Sequence, residues 1–276
     1  MNQKYQFESW ISDSKVHQAK YSSYWNNEDK KFPMESELLN GNFSKLMLHL
    51  EKTELPKDLK KCIDILKIDY GLNLRGTGLD LAAGSLWSPF YLLQYSSDIE
   101  KIYCIEYSKY RLEKIGPCVL DYYNVPKDKV ILVYGSFYEL NLDNNSVDFV
   151  FFSQGFHHAD DPEKLLVEVK RVLKPEGVII IIGEHCVLFR EYLKHPVKYF
   201  ISKLVPGTLQ HKIFKKIFYV QKLFPSKKNM FPREDDIMGD HIYTIREYNS
   251  LFSKHGFRSR RIINKKKREQ SFVLVK

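Results

Sequence analysis

Between residues 76 and 186 the apolar positions fall in short unbroken runs. GLDLA at 78–82, KIYCIE at 101–106, KVILVY at 129–134, VDFVFFS at 147–153 and GVIIIIG at 177–183 each have the length of a strand. The stretches between them repeat at helical spacing. In DPEKLLVEVKRVLK, Leu165, Leu166, Val169, Val172 and Leu173 make one apolar face, and Asp161 and Pro162 stand ahead of it as N-cap and first helical residue. SKYRLEKIGPCVLDYY reads as a second helix. Strands that are apolar throughout are buried on both faces, which requires a parallel sheet between two helical layers. Ligands of such sheets bind at the carboxyl ends of the strands.

The flanking zones have other patterns. Residues 1–75 predict an N-terminal helical cap, including Trp10 and Trp25: Leu46, Leu50, Leu59, Ile63 and Leu66 recur at helical spacing, and Pro56 separates the helices. Residues 187–239 predict a helical insertion after the fifth strand, with Leu209, Ile213, Ile217, Val220 and Phe224 on one face. Residues 240–276 predict a helix over 244–257 that stops at Gly256. Two strands follow, FRSRRIIN and REQSFVLVK, around the basic turn Lys265 to Arg268.

Composition narrows the function classes. With 43% hydrophobic residues in 276, the chain can bury a large core, so disorder-based function is excluded. The net charge is +9, and residues 187–231 alone hold ten Lys or Arg against one acid, Glu191. Such a field favours anionic partners. Cys62, Cys104, Cys118 and Cys186 stand apart, without the spacing of a zinc site or a disulfide framework. The N-terminus is polar and no run of 18 apolar residues exists, so the expectation is a cytoplasmic protein, peripheral to a membrane at most.

Candidate chemistry begins at GLDLAAGSL, 78–86, where small residues would let a ligand approach the backbone. A Walker lysine is absent, and of the dinucleotide pattern G-x-G-x-x-G only Gly84 is present. An ordinary tight turn is the alternative. Glu106 ends the next strand, where an acid can accept both hydroxyls of a ribose; a plain surface glutamate is the alternative there.

Taken in order, Asp80 to Gly84, Glu106, Gly135-Ser136, Val147 to Val150, the run from Gly155 to Pro162 and the run from Arg171 to Gly177 resemble a class I S-adenosylmethionine-dependent methyltransferase of the type 11 branch. The resemblance covers 76–186 well and 240–276 loosely. It implies an α/β, Rossmann-like fold with a seven-stranded mixed sheet in the order 3-2-1-4-5-7-6, and S-adenosyl-L-methionine as cofactor. It also implies roles. Asp80 would organise the loop and lie near the methionine amino group. Ala82 and Gly84 would pass under the methionine and ribose, Glu106 would bind the ribose, and Tyr107 would lie beside the adenine. Ser136 and Phe137 fall at the adenine positions, and Ser153 and Gln154 at the methionine end. Three residues depart from the family pattern: Ala82 and Leu86 replace usual glycines, and Ser136 replaces a common acid.

His158 and His185 follow the fourth and fifth strands and are the candidate general bases, with Glu184 beside His185 resembling an acid that faces the acceptor. A structural histidine is the alternative at each. His157, His158, Asp160 and Asp161 also raise a metal site, which is set aside because the family run accounts for them and no third ligand is suitably spaced. The expected acceptor is an oxygen or nitrogen nucleophile on a small molecule or glycan precursor, with or without phosphate. A membrane lipid or quinone is the alternative, as is a non-catalytic partner subunit. The basic segment 187–231 reads as a lid with solvated lysines or as a face for an anionic membrane. Nucleic acid ranks behind these, since no recognised binding module accompanies the segment.

Overall fold

The run Phe149, Val150, Phe151, Phe152 sends alternate side chains to opposite faces of one sheet, and all four are fully buried. Phe149 and Phe151 join a core with Leu59, Cys62 and Leu66, whereas Val150 and Phe152 join a second with Leu165, Val169 and Phe252. Burying each such ring stabilises the fold by about 1.5–3 kcal/mol. The computed structural model describes residues 4–11, 33–187, 241, 243–264 and 269–276. The insertion beyond Val187, with Lys212, Lys215 and Lys216, lies outside the described residues, as do Trp25 and the basic turn 265–268.

The strands are β1 (Gln6–Ser9), β2 (Gly76–Leu81), β3 (Ile99–Glu106), β4 (Val130–Tyr134), β5 (Val147–Ser153), β6 (Leu173–Glu184), β7 (Cys186–Val187), β8 (Tyr243–Thr244), β9 (Arg258–Ile263) and β10 (Gln270–Val275). The main sheet has the order β1-β4-β3-β2-β5-β6-β10-β9. From β4 to β9 this is the order that the resemblance implies, with β10 antiparallel to both neighbours. It is the order of a doubly wound, Rossmann-like α/β fold. Among the described residues the sheet has eight strands rather than the seven expected.

The extra strand comes from the zone read as purely helical. Residues Gln6–Ser9 run parallel to β4, and the Trp10 amide donates to the Tyr134 carbonyl at 2.9 Å. Tyr5 donates its hydroxyl to Asp121 at 3.1 Å and Trp10 packs on Tyr103. Four residues with only Phe7 strongly apolar show no strand period. What holds β1 is the otherwise open edge of β4.

The helices are α1 (Pro33–Leu39), α2 (Ser44–Thr53), α3 (Leu55–Tyr70), α4 (Ser88–Tyr95), α5 (Gly116–Tyr122), α6 (Pro162–Val172) and α7 (Ile245–Lys254). On α3 the buried face is Leu55, Asp58, Leu59, Cys62, Ile63 and Leu66, against β6 and β10. The Asp161 side chain caps α6 through the Lys164 amide at 2.9 Å, as its sequence predicts. Thr244 and Glu247 form a reciprocal capping box on α7. The helix expected through 108–123 is interrupted by a π-turn at Arg111–Ile115. Pro117 has no N–H to donate, so the turn before it widens.

Candidate active site

The loop after β2 turns sharply by placing alternate residues in the left-handed region: Ala82 at φ 57°, Gly84 at 58° and Leu86 at 59°. Two are not glycine, and each is met by a glycine elsewhere. A Cβ on Gly155 would lie 2.9 Å from the Ala82 methyl, and one on Gly116 would lie 3.0 Å from the Leu86 side chain. The departures at Ala82 and Leu86 thus keep a turn that glycines commonly make. The Ala83 amide donates to the Ile105 carbonyl at 3.1 Å, holding the loop to the tip of β3.

Glu106 is at that tip, and its carboxylate is already engaged. Oε2 accepts from the Gly84 amide at 2.7 Å, and Oε1 accepts from the amides of Tyr107 and Ser108 at 2.8 and 2.9 Å. A carboxylate offers about four acceptor positions, so it can still take a ligand hydroxyl. Among the described residues there is room above Gly84: a Cβ there would meet only the Ala82 carbonyl oxygen, at 3.9 Å.

Asp80 lies beneath this loop, fully buried. Its Oδ2 accepts from the Ser88 hydroxyl, and its Oδ1 has no hydrogen-bond partner among the described residues. Burial pushes its carboxyl up to about 7; the Ser88 bond opposes this and the negative charge of Glu106 adds to it. An unsatisfied buried carboxylate oxygen costs about 1–3 kcal/mol or more. A cationic or hydroxyl-bearing ligand would relieve that cost. Ser88 escaped the sequence reading, its one signal being its place eight residues after Asp80.

The strand ends beside β2 carry the other predicted contacts. Tyr107 is half-buried, which raises its phenol. Ser136 is half-buried and its hydroxyl oxygen accepts from the Tyr138 amide at 3.2 Å, while Phe137 packs edge-on against Tyr138. Ser153 ends β5. Gln154, at φ 51°, donates its amide to the Ile182 carbonyl at 2.9 Å, and its side chain lies over Gly183. All nine cofactor candidates therefore lie at the carboxyl ends of β2 to β5 or in the loops that follow.

Among the histidines the structure draws a different pairing from the sequence reading. Glu184 does not lie open to an acceptor beside His185. It is fully buried, and its carboxylate accepts from the Phe156 amide at 3.2 Å and from the Tyr248 hydroxyl at 3.0 Å, and pairs with His157 Nδ1 at 3.0 Å. Burial alone would raise its carboxyl, but His157 and the Tyr248 bond bring it below the usual range. His158 is half-buried and His185 exposed. Their rings lie 4.4 and 5.9 Å from that of His157, so both histidines share its surroundings. The returning chain joins this group: the His241 amide donates to the His157 carbonyl at 2.8 Å, and its Nε2 pairs with Asp160 at 3.0 Å. Burial pulls the His241 pKa down, against the pull of Asp160. Among the described residues no group of three or more His, Cys, Asp and Glu could hold a metal ion, and no helix is long and apolar enough to cross a membrane.

Residues 79–181 match a family model described as a methyltransferase domain. No curated protein matches the sequence. Solved structures share the fold. A candidate O-methyltransferase from Nostoc punctiforme has a TM-score of 0.53 at 17% identity, over 87% of this chain and 60% of its own. The chain thus spans less than two thirds of that protein. A candidate S-adenosyl-L-methionine-dependent methyltransferase from Methanococcus maripaludis has a TM-score of 0.51 at 16% identity, over 84% of this chain and 91% of its own. A Haloferax volcanii candidate methyltransferase, solved with the activator Trm112, has a TM-score of 0.51 at 16% identity, over 89% and 98%.

Proposed function

We propose that the chain, whose residues 79–181 match a methyltransferase domain, is a class I S-adenosylmethionine-dependent methyltransferase of type 11 that methylates an oxygen or nitrogen nucleophile on a small molecule or glycan precursor. The observation that carries this reading is the cradle between Asp80 and Glu106. It pairs a buried, unsatisfied carboxylate oxygen with open space over Gly84, beside a second carboxylate. That donor set suits a ligand with an ammonium at one end and ribose hydroxyls in the middle.

When bound, S-adenosylmethionine supplies a methyl group activated on a sulfonium sulfur. In this reading Glu106 accepts from a ribose hydroxyl while its hydrogen bond to the Gly84 amide keeps the loop in place. Asp80 faces the ammonium, and its ionised form is favoured by that charge. Tyr107, Ser136 and Phe137 flank the adenine, and Ala82, Ser153 and Gln154 border the methionine end. The protein then holds the acceptor in line with the methyl group, the main lever of such transfers. His158 or His185 takes the proton where the acceptor is a hydroxyl. The basic stretch 187–231 favours an acceptor that carries phosphate.

Calorimetric titration with S-adenosylmethionine tests the cofactor. Mass spectrometry of products, after incubation with labelled S-adenosylmethionine and fractionated cell extract, tests the acceptor. Label confined to lipid fractions would replace the small-molecule reading by the lipid one. Cofactor binding with no labelled product in any fraction would favour a partner subunit.

A further inference from the structure

The strand β9 closes the sheet on the side away from β1 and pairs only with β10 among the described residues. Five of its six residues are exposed: Arg258, Ser259, Arg260, Arg261 and Ile263. None of the six is acidic, and the sequence runs on into Lys265, Lys266, Lys267 and Arg268. Seven cations and no acid therefore occupy residues 258–268.

Among the described residues, little neutralises the three arginines of β9. Arg260 approaches Asp69 at 3.7 Å with both side chains well exposed, a pair of small worth. Glu247 of the neighbouring α7 is committed to its capping box through the Thr244 amide. Ser259 bonds Asn249, so the α7 side of the strand meets a neutral group. In an antiparallel ladder every second residue turns its N–H and C=O away from its partner, so the outer edge of β9 presents main-chain donors and acceptors between its arginines.

We infer that the β9 edge is a docking surface for an extended acidic peptide segment, which adds a strand to the sheet and sets its carboxylates against Arg258 and Arg260 on one face, with Arg261 adding positive charge on the other. Strand addition takes affinity from main-chain bonds and specificity from side chains. Arginine suits the second task, since its guanidinium fork grips a carboxylate with two bonds. A second copy of this chain is a poor occupant, because pairing β9 with β9 sets arginines against each other. Charge on an edge repels like strands and admits complementary ones.

Fluorescence anisotropy of the full chain, with a labelled peptide of alternating Glu and Val at low ionic strength, tests the surface. Reversing Arg258, Arg260 and Arg261 to Glu should weaken binding by about tenfold or more, with an unchanged melting temperature. A peptide N-methylated at alternate residues keeps its charges but cannot complete the ladder, and should also bind about tenfold more weakly. The triple Gln variant guards against misfolding by charge reversal and should give an intermediate loss. The inference fails if the reversed protein binds the peptide as the wild type does, or if N-methylation has no effect. Tighter binding of single-stranded oligothymidylate through the same arginines would overturn it in favour of a nucleic-acid face.

Discussion

The methyl group of Ala82 takes the space that a side chain on Gly155 would need: the two Cβ positions would lie 2.9 Å apart, with the Leu81 carbonyl oxygen 3.2 Å from the second. The contact joins the loop after β2 to the loop after β5. Gly155→Ala should therefore destabilise the protein by about 1–3 kcal/mol through overpacking. Adding Ala82→Gly should recover most of that loss, and also removes a left-handed alanine that costs about 1–2 kcal/mol. Urea denaturation of the four proteins in this cycle measures the coupling. Purely additive costs would show that the two residues do not share the space.

Gly84→Val separates fold from ligand. The added Cβ meets almost nothing among the described residues. The fold should survive, at a cost of about 2 kcal/mol or more for a branched residue at positive φ. S-adenosylmethionine binding should vanish from calorimetry, because the side chain fills the cradle. Normal binding would mean that the ligand does not cross this loop.

Glu106→Ala should weaken S-adenosylmethionine by about 1.5–3 kcal/mol, roughly ten- to a hundredfold. An acid at a strand tip is expected from the sequence to pack little, so that its removal spares the fold. The three amide bonds to its carboxylate change that expectation. The variant should also melt lower than wild type, and Glu106→Gln should lie between. An unchanged melting curve would mean that solvent satisfies those amides.

Asp80 links the site to pH. Its carboxyl is raised to about 7 by burial, whereas in the unfolded chain it titrates near 4. Between those values the folded state holds a proton that the unfolded state has lost, so the Asp80 contribution makes stability fall as pH rises from about 4 to 7. Cofactor affinity should move the other way, because only ionised Asp80 complements an ammonium. Denaturant midpoints and calorimetry across that range, against Asp80→Asn, check both slopes. Equal slopes in the two proteins would remove Asp80 from the account.

The Glu184–His157 pair separates structure from catalysis. Glu184→Ala strands the Tyr248 hydroxyl, the Phe156 amide and the His157 ring in the core, and should cost about 3–5 kcal/mol. In wild type the depressed carboxyl contributes stability that is present above the ordinary glutamate range and fades as pH falls through it. His185→Ala and His158→Ala should leave the melting temperature nearly unchanged. If one is the base, its variant should lose turnover by about 10²–10⁴-fold once an acceptor is known. Full turnover in both would leave deprotonation to solvent or to His241.

The unbroken apolar runs around Leu79, Ile105, Val133, Phe151 and Ile180 were enough to read the parallel sheet, because a strand buried on both faces has no polar period to disguise it. The cap at Asp161 was equally legible, since capping acts within three residues. The positions of Asp80, Gly84 and Glu106 at strand ends followed from the same runs. Tertiary structure alone decided three things. It placed Gln6–Ser9 in the sheet, through an edge more than 120 residues away in the chain. It matched Ala82 and Leu86 to Gly155 and Gly116, contacts that no local spacing encodes. It gave Glu184 to His157 rather than to adjacent His185, because successive residues at a strand end point to opposite sides, and the buried side held Tyr248 and the loop after β5.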